Sequence, residues 1–196
     1  MKKVLIILAL TLSGNHVFSQ SNFGIGLTLF WGESKKQNFV DSFGIKNNLN
    51  RYTSGAGITG AFKKNIIKLK SSIPSSFAID IPVTIGTTEV YNLYTDLGLI
   101  FQYQIGALAS EDTEYKKGFF VGTGLSYLIT TWYPRVTGTN QVSTIKSKML
   151  NPVFEVGFRI DPENFNGIGS LKYNIRRLNN FDGKPLIHEC AIVYYF

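Results

Sequence analysis

The sequence predicts an all-β protein, a closed antiparallel up-and-down barrel of eight strands that crosses a membrane. Three observations carry this reading. Apolar residues recur with period two in eight separate segments, no segment sustains the i, i+3, i+4, i+7 spacing of an amphipathic helix, and aromatic residues gather at segment ends. Composition agrees: 44% of the 196 residues are hydrophobic, only 17% are charged, and 15 Phe, 10 Tyr and 19 Gly are distributed along the chain. That profile excludes a disordered polymer and suits a single domain. One cysteine, Cys190, excludes an internal disulfide framework and a cysteine-built metal centre.

The first 19 residues read as an export leader. Lys2 and Lys3 precede an apolar run from Val4 to Leu12, and Val17-Phe18-Ser19 offers a cleavage position. The apolar run is far shorter than the ~20 residues of a spanning helix. No cysteine follows it, so a lipid anchor is not expected. The mature domain is placed at residues 20–196, and loss of the two lysines lowers the net charge from +7 to +5.

The first segment sets Phe23, Ile25, Leu27, Leu29 and Trp31 against Gly24, Gly26, Thr28 and Phe30. In the second, Tyr52, Ala56, Ile58 and Phe62 oppose Thr53, Gly55, Gly57 and Thr59; the third opposes Phe77 through Ile85 to Asp80, Pro82 and Thr84. The fourth opposes Leu93 through Ile105 to Asn92, Asp96, Gly98, Gln102 and Gln104, and the fifth opposes Phe119 through Ile129 to Gly122, Gly124 and Ser126. The sixth sets Leu150, Phe154, Val156, Phe158 and Ile160 against Glu155, Gly157 and Arg159. The seventh sets Leu171, Tyr173 and Ile175 against Lys172, Asn174 and Arg176, and the eighth carries Leu186, His188, Cys190, Ile192, Tyr194 and Phe196 on one face. Each segment is close to the ~9–11 residues of a tilted membrane strand. A further strand over Ile66–Ile73 would make nine, and ten strands would then be needed to return the chain to its starting side. Residues 63–76 are therefore read as a long turn, and residues 33–50 and 132–147 as the longest external loops.

Alternation alone also fits a soluble sandwich or barrel whose apolar face turns inward. The opposite face decides the orientation, because it carries Gly, Ser, Thr, Gln and charges suited to a narrow polar lumen. Phe23, Phe62, Phe77, Tyr103, Phe119, Phe158 and Phe196 fall at one end, and Trp31, Tyr52, Tyr94 and Trp132 near the other, as two interfacial girdles. With the last segment ending in Ile192, Tyr194 and Phe196, the sequence resembles the small outer-membrane β-barrel proteins of diderm bacteria, of the OmpA/OmpX-like kind. The resemblance spans the mature chain. It implies location in the outer membrane, contact with its lipids, and recognition of Ile192, Tyr194 and Phe196 by the barrel-assembly machinery.

Parity directs Asp80, Asp96, Glu155 and Glu189 into the lumen with Arg159, Lys172 and Arg176, and Arg51 completes a balanced set. Unpaired charges there would cost several kcal/mol each, so a filled, neutralised interior is expected. Gly55-Ala-Gly57-Ile-Thr-Gly60 matches a dinucleotide-binding fingerprint by letters, yet it lies inside a strand segment with no helix to follow. No cofactor is expected. His188 is the one histidine of the mature chain and points outward by parity, where an interfacial role fits it better than a catalytic one.

The basic residues lack the clustering and aromatic interleaving of a nucleic-acid footprint. External segments hold Lys35, Lys36, Lys46, Arg51, Arg135, Lys146, Lys148, Arg177 and Lys184 against Glu33, Asp41, Glu89 and Asp182, an excess suited to phosphorylated lipid. Lys63, Lys64, Lys68, Lys70, Lys116 and Lys117 are placed in periplasmic turns. The function expected is non-enzymatic: envelope structure or surface interaction through external loops. A narrow channel for ions or small solutes and a lipid-modifying enzyme centred on His188 are the alternatives.

Overall fold

The computed structural model describes residues 21–40, 46–69, 72–88, 93–109, 115–132, 145–161, 167–177 and 186–196, with residues 33–40, 46–53, 130–132 and 145–147 described by backbone alone. The leader expected over residues 1–19 lies outside them. Eight strands follow one another: β1 Ser21–Val40, β2 Lys46–Leu69, β3 Ser75–Thr88, β4 Leu93–Gly106, β5 Lys117–Trp132, β6 Ile145–Ile160, β7 Ile168–Arg177 and β8 Leu186–Tyr195. Each pairs antiparallel with the next, and β8 pairs with β1 to close the barrel. Beyond the last paired residues of the seam, the backbone groups of Phe196 and Phe23 bond to each other in both directions. Closure leaves no unpaired sheet edge around the wall, the condition for a β-structure to sit in hydrocarbon.

The faces are inverted relative to a water-soluble barrel. Leu27 is 70% and Ile192 66% exposed, whereas Asp80, Glu155 and Arg159 are fully buried. The apolar parity therefore forms the outer wall and the polar parity fills the lumen.

Register fixes the dimensions. A circuit of paired residues runs Ser21, Lys64, Ile79, Phe101, Thr123, Phe154, Ile175, His188 and returns to β1 at Trp31, ten residues beyond its start. For eight strands this stagger gives a tilt of about 40° and a backbone radius of about 8 Å. Side chains from opposite walls consequently meet at the axis.

Two segments read as loops are strand. Residues 63–76 are not a long turn, since β2 runs to Leu69 and β3 begins at Ser75. A bulge between Asn65 and Ile67 breaks the period-two pattern there, which hid the continuation. Residues 66–69 belong to β2, so no separate strand lies over Ile66–Ile73 among the described residues. Likewise most of 33–50 is a paired ribbon: Ser34 faces Arg51 and, past a second bulge, Gln37 to Val40 face Leu49 to Lys46. The ribbon's sequence has no sustained apolar alternation, so period two could not reveal it. In the segment 132–147, Ile145 to Ser147 pair with Trp132 to Thr130, and 133–144 lies outside the described residues.

The wall depends on close backbone approach at Gly124, where a Cβ would stand 2.0 Å from the Leu99 carbonyl oxygen. Gly60 is the contrast, with nothing within 4 Å of its Cβ direction. Gly124→Val should sharply lower the folded fraction, by overpacking worth at least about 1–3 kcal/mol, while Gly60→Ala should leave it unchanged. Gel mobility with and without heating, which separates folded from unfolded barrels, reads both.

Candidate functional site

The barrel interior gathers charged residues of six strands. Near the ribbon end, β7 projects Arg176 across the lumen. Its guanidinium pairs with Asp96 of β4 and Glu189 of β8, the latter at 2.7 Å. Tyr94 donates its hydroxyl to Glu189 at 3.2 Å and accepts from Arg176 at 3.1 Å, and Ser126 donates to Asp96 at 2.8 Å. Above this network Phe30, Tyr94, Leu128, Met149 and Ile187 form an apolar stopper, with the Phe30 and Tyr94 rings stacked 4.0 Å apart. At mid-height Thr28, Thr59 and Thr84 link their hydroxyls across three strands.

The second network lies toward the end carrying the short turns. Lys172 of β7 pairs with Asp80 of β3, which also accepts from Gln102 at 3.0 Å and from Tyr195 at 3.3 Å. Gln102 donates in addition to Glu155, and its carbonyl oxygen accepts from Arg159 at 2.9 Å. Arg159 bonds Gln104 at 2.6 Å and lies 4.2 Å over the Phe120 ring. Both networks join strands that are not sheet neighbours, which braces the wall across its diameter.

The β4–β5 connection closes this end. Ala107, Leu108 and Ala109 are buried, and Leu108 packs among Ala61, Ala191, Val193 and Tyr195. Leu108 holds a left-handed backbone at φ 65°, a conformation costing roughly 1–2 kcal/mol outside glycine. Two side-chain amides hold it there, Gln104 and Asn65 donating to its carbonyl at 2.9 and 3.0 Å. The preceding Gly106, at φ 80°, has no room for a Cβ, which would stand 2.2 Å from the Lys117 carbonyl oxygen.

Asp80, Asp96, Glu155, Arg159, Lys172, Arg176 and Glu189 are thus all buried inside the barrel. The side chain of Arg51 lies outside the described residues. The interior also holds residues that sequence reading places elsewhere, Lys63 and Tyr94 among them. Lys63, read as part of a turn, is fully buried in the lumen because β2 continues past it. Tyr94, read as a girdle residue, is 2% exposed. It shares the inward parity of Asp96, and its hydroxyl bonds satisfy the buried Arg176 and Glu189. Gly60 of the glycine-rich stretch faces outward rather than into the lumen, and the whole stretch is strand.

On the outer wall, Phe23, Phe62, Phe77, Tyr103, Phe119, Phe158 and Phe196 lie toward the turn end. Phe23 sits 5.1 Å from Phe62 and Phe77 5.4 Å from Tyr103. Trp31 faces outward toward the ribbon end, whereas the side chains of Tyr52 and Trp132 lie outside the described residues. Ile192 and Phe196 are exposed and Tyr194 half-buried, all on the outer parity. His188 stacks on Trp31 with ring centroids 5.6 Å apart, and its Nδ1 is 2.7 Å from the Tyr173 hydroxyl. Cys190 is half-buried on the same face. Among the described residues no group of three or more His, Cys, Asp and Glu is placed to hold a metal ion.

Comparison with family models gives no match, and neither does comparison with curated protein sequences. Solved structures do match. The crystal structure of Ail, the attachment invasion locus protein of Yersinia pestis, superposes with a TM-score of 0.51 at 8% identity, over 91% of this chain and 100% of that one. Ail in complex with the heparin analogue sucrose octasulfate gives 0.48 at 9% identity, again over 91% and 100%. The N-terminal β-barrel domain of Pseudomonas aeruginosa OprF gives 0.47 at 10% identity, over 91% and 99%. The chain has the fold of the small outer-membrane β-barrels.

Arg176 neutralises two carboxylates and Lys172 one, so their removal separates the contributions of the two networks. Arg176→Met should cost about 3–5 kcal/mol by leaving buried carboxylates unpaired. The double change Lys172→Met with Asp80→Leu should cost less than Lys172→Met alone. Urea unfolding of the detergent-folded barrel measures both.

Proposed function

We propose that this chain is an integral outer-membrane protein, exported by the leader at residues 1–19, that acts without catalysis by binding partners outside the cell through the β1–β2 ribbon. The observation that carries this reading is the extent of strand pairing. Among the described residues, pairing of β1 with β8 reaches Glu33, and pairing of β2 with β3 reaches Gly55. Beyond these points residues 34–40 and 46–54 pair only with each other among the described residues. The ribbon therefore rises above the closed barrel, and an extension of about seven residues reaches some 20 Å. Its two strands contain Lys35, Lys36, Lys46 and Arg51 and no acidic residue.

A ribbon whose sequence is basic and free of acidic residues favours polyanionic partners such as sulfated polysaccharide or the phosphorylated glycolipid of an outer leaflet. The lumen supports the same conclusion by what it does not offer. Arg176 and Lys172 are bound across it, and Phe30, Tyr94 and Leu108 stop its two ends, so surface binding is favoured over conduction. The outward row of Ile192, Tyr194 and Phe196 is suited to recognition by the barrel-assembly machinery, and the exposed apolar wall to membrane lipid.

Deletion of residues 34–49 should leave the heat-dependent gel shift intact and abolish retention on immobilised heparin, which salt should also weaken for the intact protein. Undiminished retention would move the activity to another surface, with deletion of residues 133–146 as the next test. Planar-bilayer recordings of folded protein should show no discrete conductance.

A further inference from the structure

Eight charged side chains are buried in the lumen among the described residues, four of each sign, yet they are unevenly divided. Arg176 stands with Asp96 and Glu189 toward the ribbon end. Lys63, Arg159 and Lys172 stand with Asp80 and Glu155 toward the turn end. Lys172 and Asp80 satisfy one another, and among the described residues no carboxylate forms an ion pair with Lys63 or Arg159.

These two cations are also incompletely hydrogen-bonded. Lys63 Nζ has no hydrogen-bond partner, and neither does Arg159 Nε. Directly opposite Lys63 on β1 stands Asn22, whose Nδ2 is unpartnered; directly opposite Arg159 on β7 stands Ser170, whose hydroxyl is unpartnered. All four residues are at least nine-tenths buried. Tyr195 of β8 lies between the two pairs of strands. Lys63 Nζ is 6.0 Å from its ring centroid and Lys172 Nζ 5.2 Å from the same ring, so two ammonium groups flank one aromatic ring.

Four unsatisfied groups thus occur at one end of the lumen, three of them obligate donors and the fourth a hydroxyl that can donate. Water fits such a set poorly, because its own two hydrogens need acceptors. One orphan acceptor, Glu155 Oε2, belongs to the same network, since Gln102 donates to Glu155 and accepts from Arg159, and this leaves four donors to a single acceptor. An anion accepts from every donor and cancels the excess positive charge that burial makes costly. The radius of about 8 Å and the buried 107–109 turn beneath favour an ion of halide size over phosphate or sulfate.

We propose that the turn end of the lumen is a closed site for one monovalent anion of halide size, ligated by Lys63 Nζ, Asn22 Nδ2, Arg159 Nε and the Ser170 hydroxyl. This proposal is independent of what the ribbon binds. The site lies above the Leu108 turn, so the ion exchanges only when that turn moves, and it acts as a structural counterion.

The full mature barrel, folded in detergent, tests it. Crystals grown in bromide should show an anomalous peak within hydrogen-bond reach of Lys63 Nζ. At constant ionic strength, replacing gluconate by bromide should raise the folded-to-unfolded ratio, approaching tenfold per tenfold rise in bromide above its dissociation constant. Lys63→Met should remove both the peak and the bromide dependence; should it fail to fold, Asn22→Ala supplies the same comparison, with weakened bromide dependence expected. No anomalous peak in wild-type crystals, or the same bromide dependence in wild type and the folded variant, overturns the proposal.

Discussion

Everything inside this barrel follows from its narrowness. Eight strands staggered by ten residues leave an interior only as wide as two long side chains laid end to end. An arginine that points inward therefore crosses the lumen, and an ionised group there has protein rather than bulk water around it. Arg176 reaching Asp96 and Glu189, and Lys172 reaching Asp80, are the consequences. The interior resembles a core built of polar parts, with its charges opposed and its two ends stopped by apolar residues.

The same geometry divides the molecule into a filled lumen and an apolar wall. A lumen crossed by ion pairs gives a solute little room, and the wall presents exposed leucine, isoleucine and phenylalanine to its surroundings. Among the described residues the β1–β2 ribbon carries paired backbone past this wall, and its sequence has lysine, asparagine and glutamine in place of the apolar row. Rigidity comes from the ion pairs that cross the lumen.

Alternation made the strand count, the polarity of each face and the seven central charged residues legible, because period two and a lipid-facing wall select residue type at every second position. It failed where those conditions lapse. The bulge at Asn65 and Ile67 shifts parity, and with it Lys63 passed for a turn residue although it is buried. Tyr94 lies close to a strand end and was assigned to the interface by that position, whereas its parity with Asp96 takes it inward. The ribbon's sequence carries no sustained apolar alternation. The inward fold of Leu108 depends on amides supplied by β2 and β4, a tertiary effect that the local sequence Gly106-Ala-Leu108 does not announce.

The central claim is a barrel whose apolar wall faces hydrocarbon. Spin labels placed singly at the outward positions of β4, from Leu93 through Leu97, Leu99 and Phe101 to Ile105, measure it in reconstituted bilayers by their accessibility to oxygen and to a water-soluble paramagnetic reagent. The account predicts oxygen accessibility highest at Leu97 and Leu99 and falling toward Leu93 and Ile105, with the polar reagent showing the reverse profile. Uniform access of the polar reagent along all these positions would contradict it.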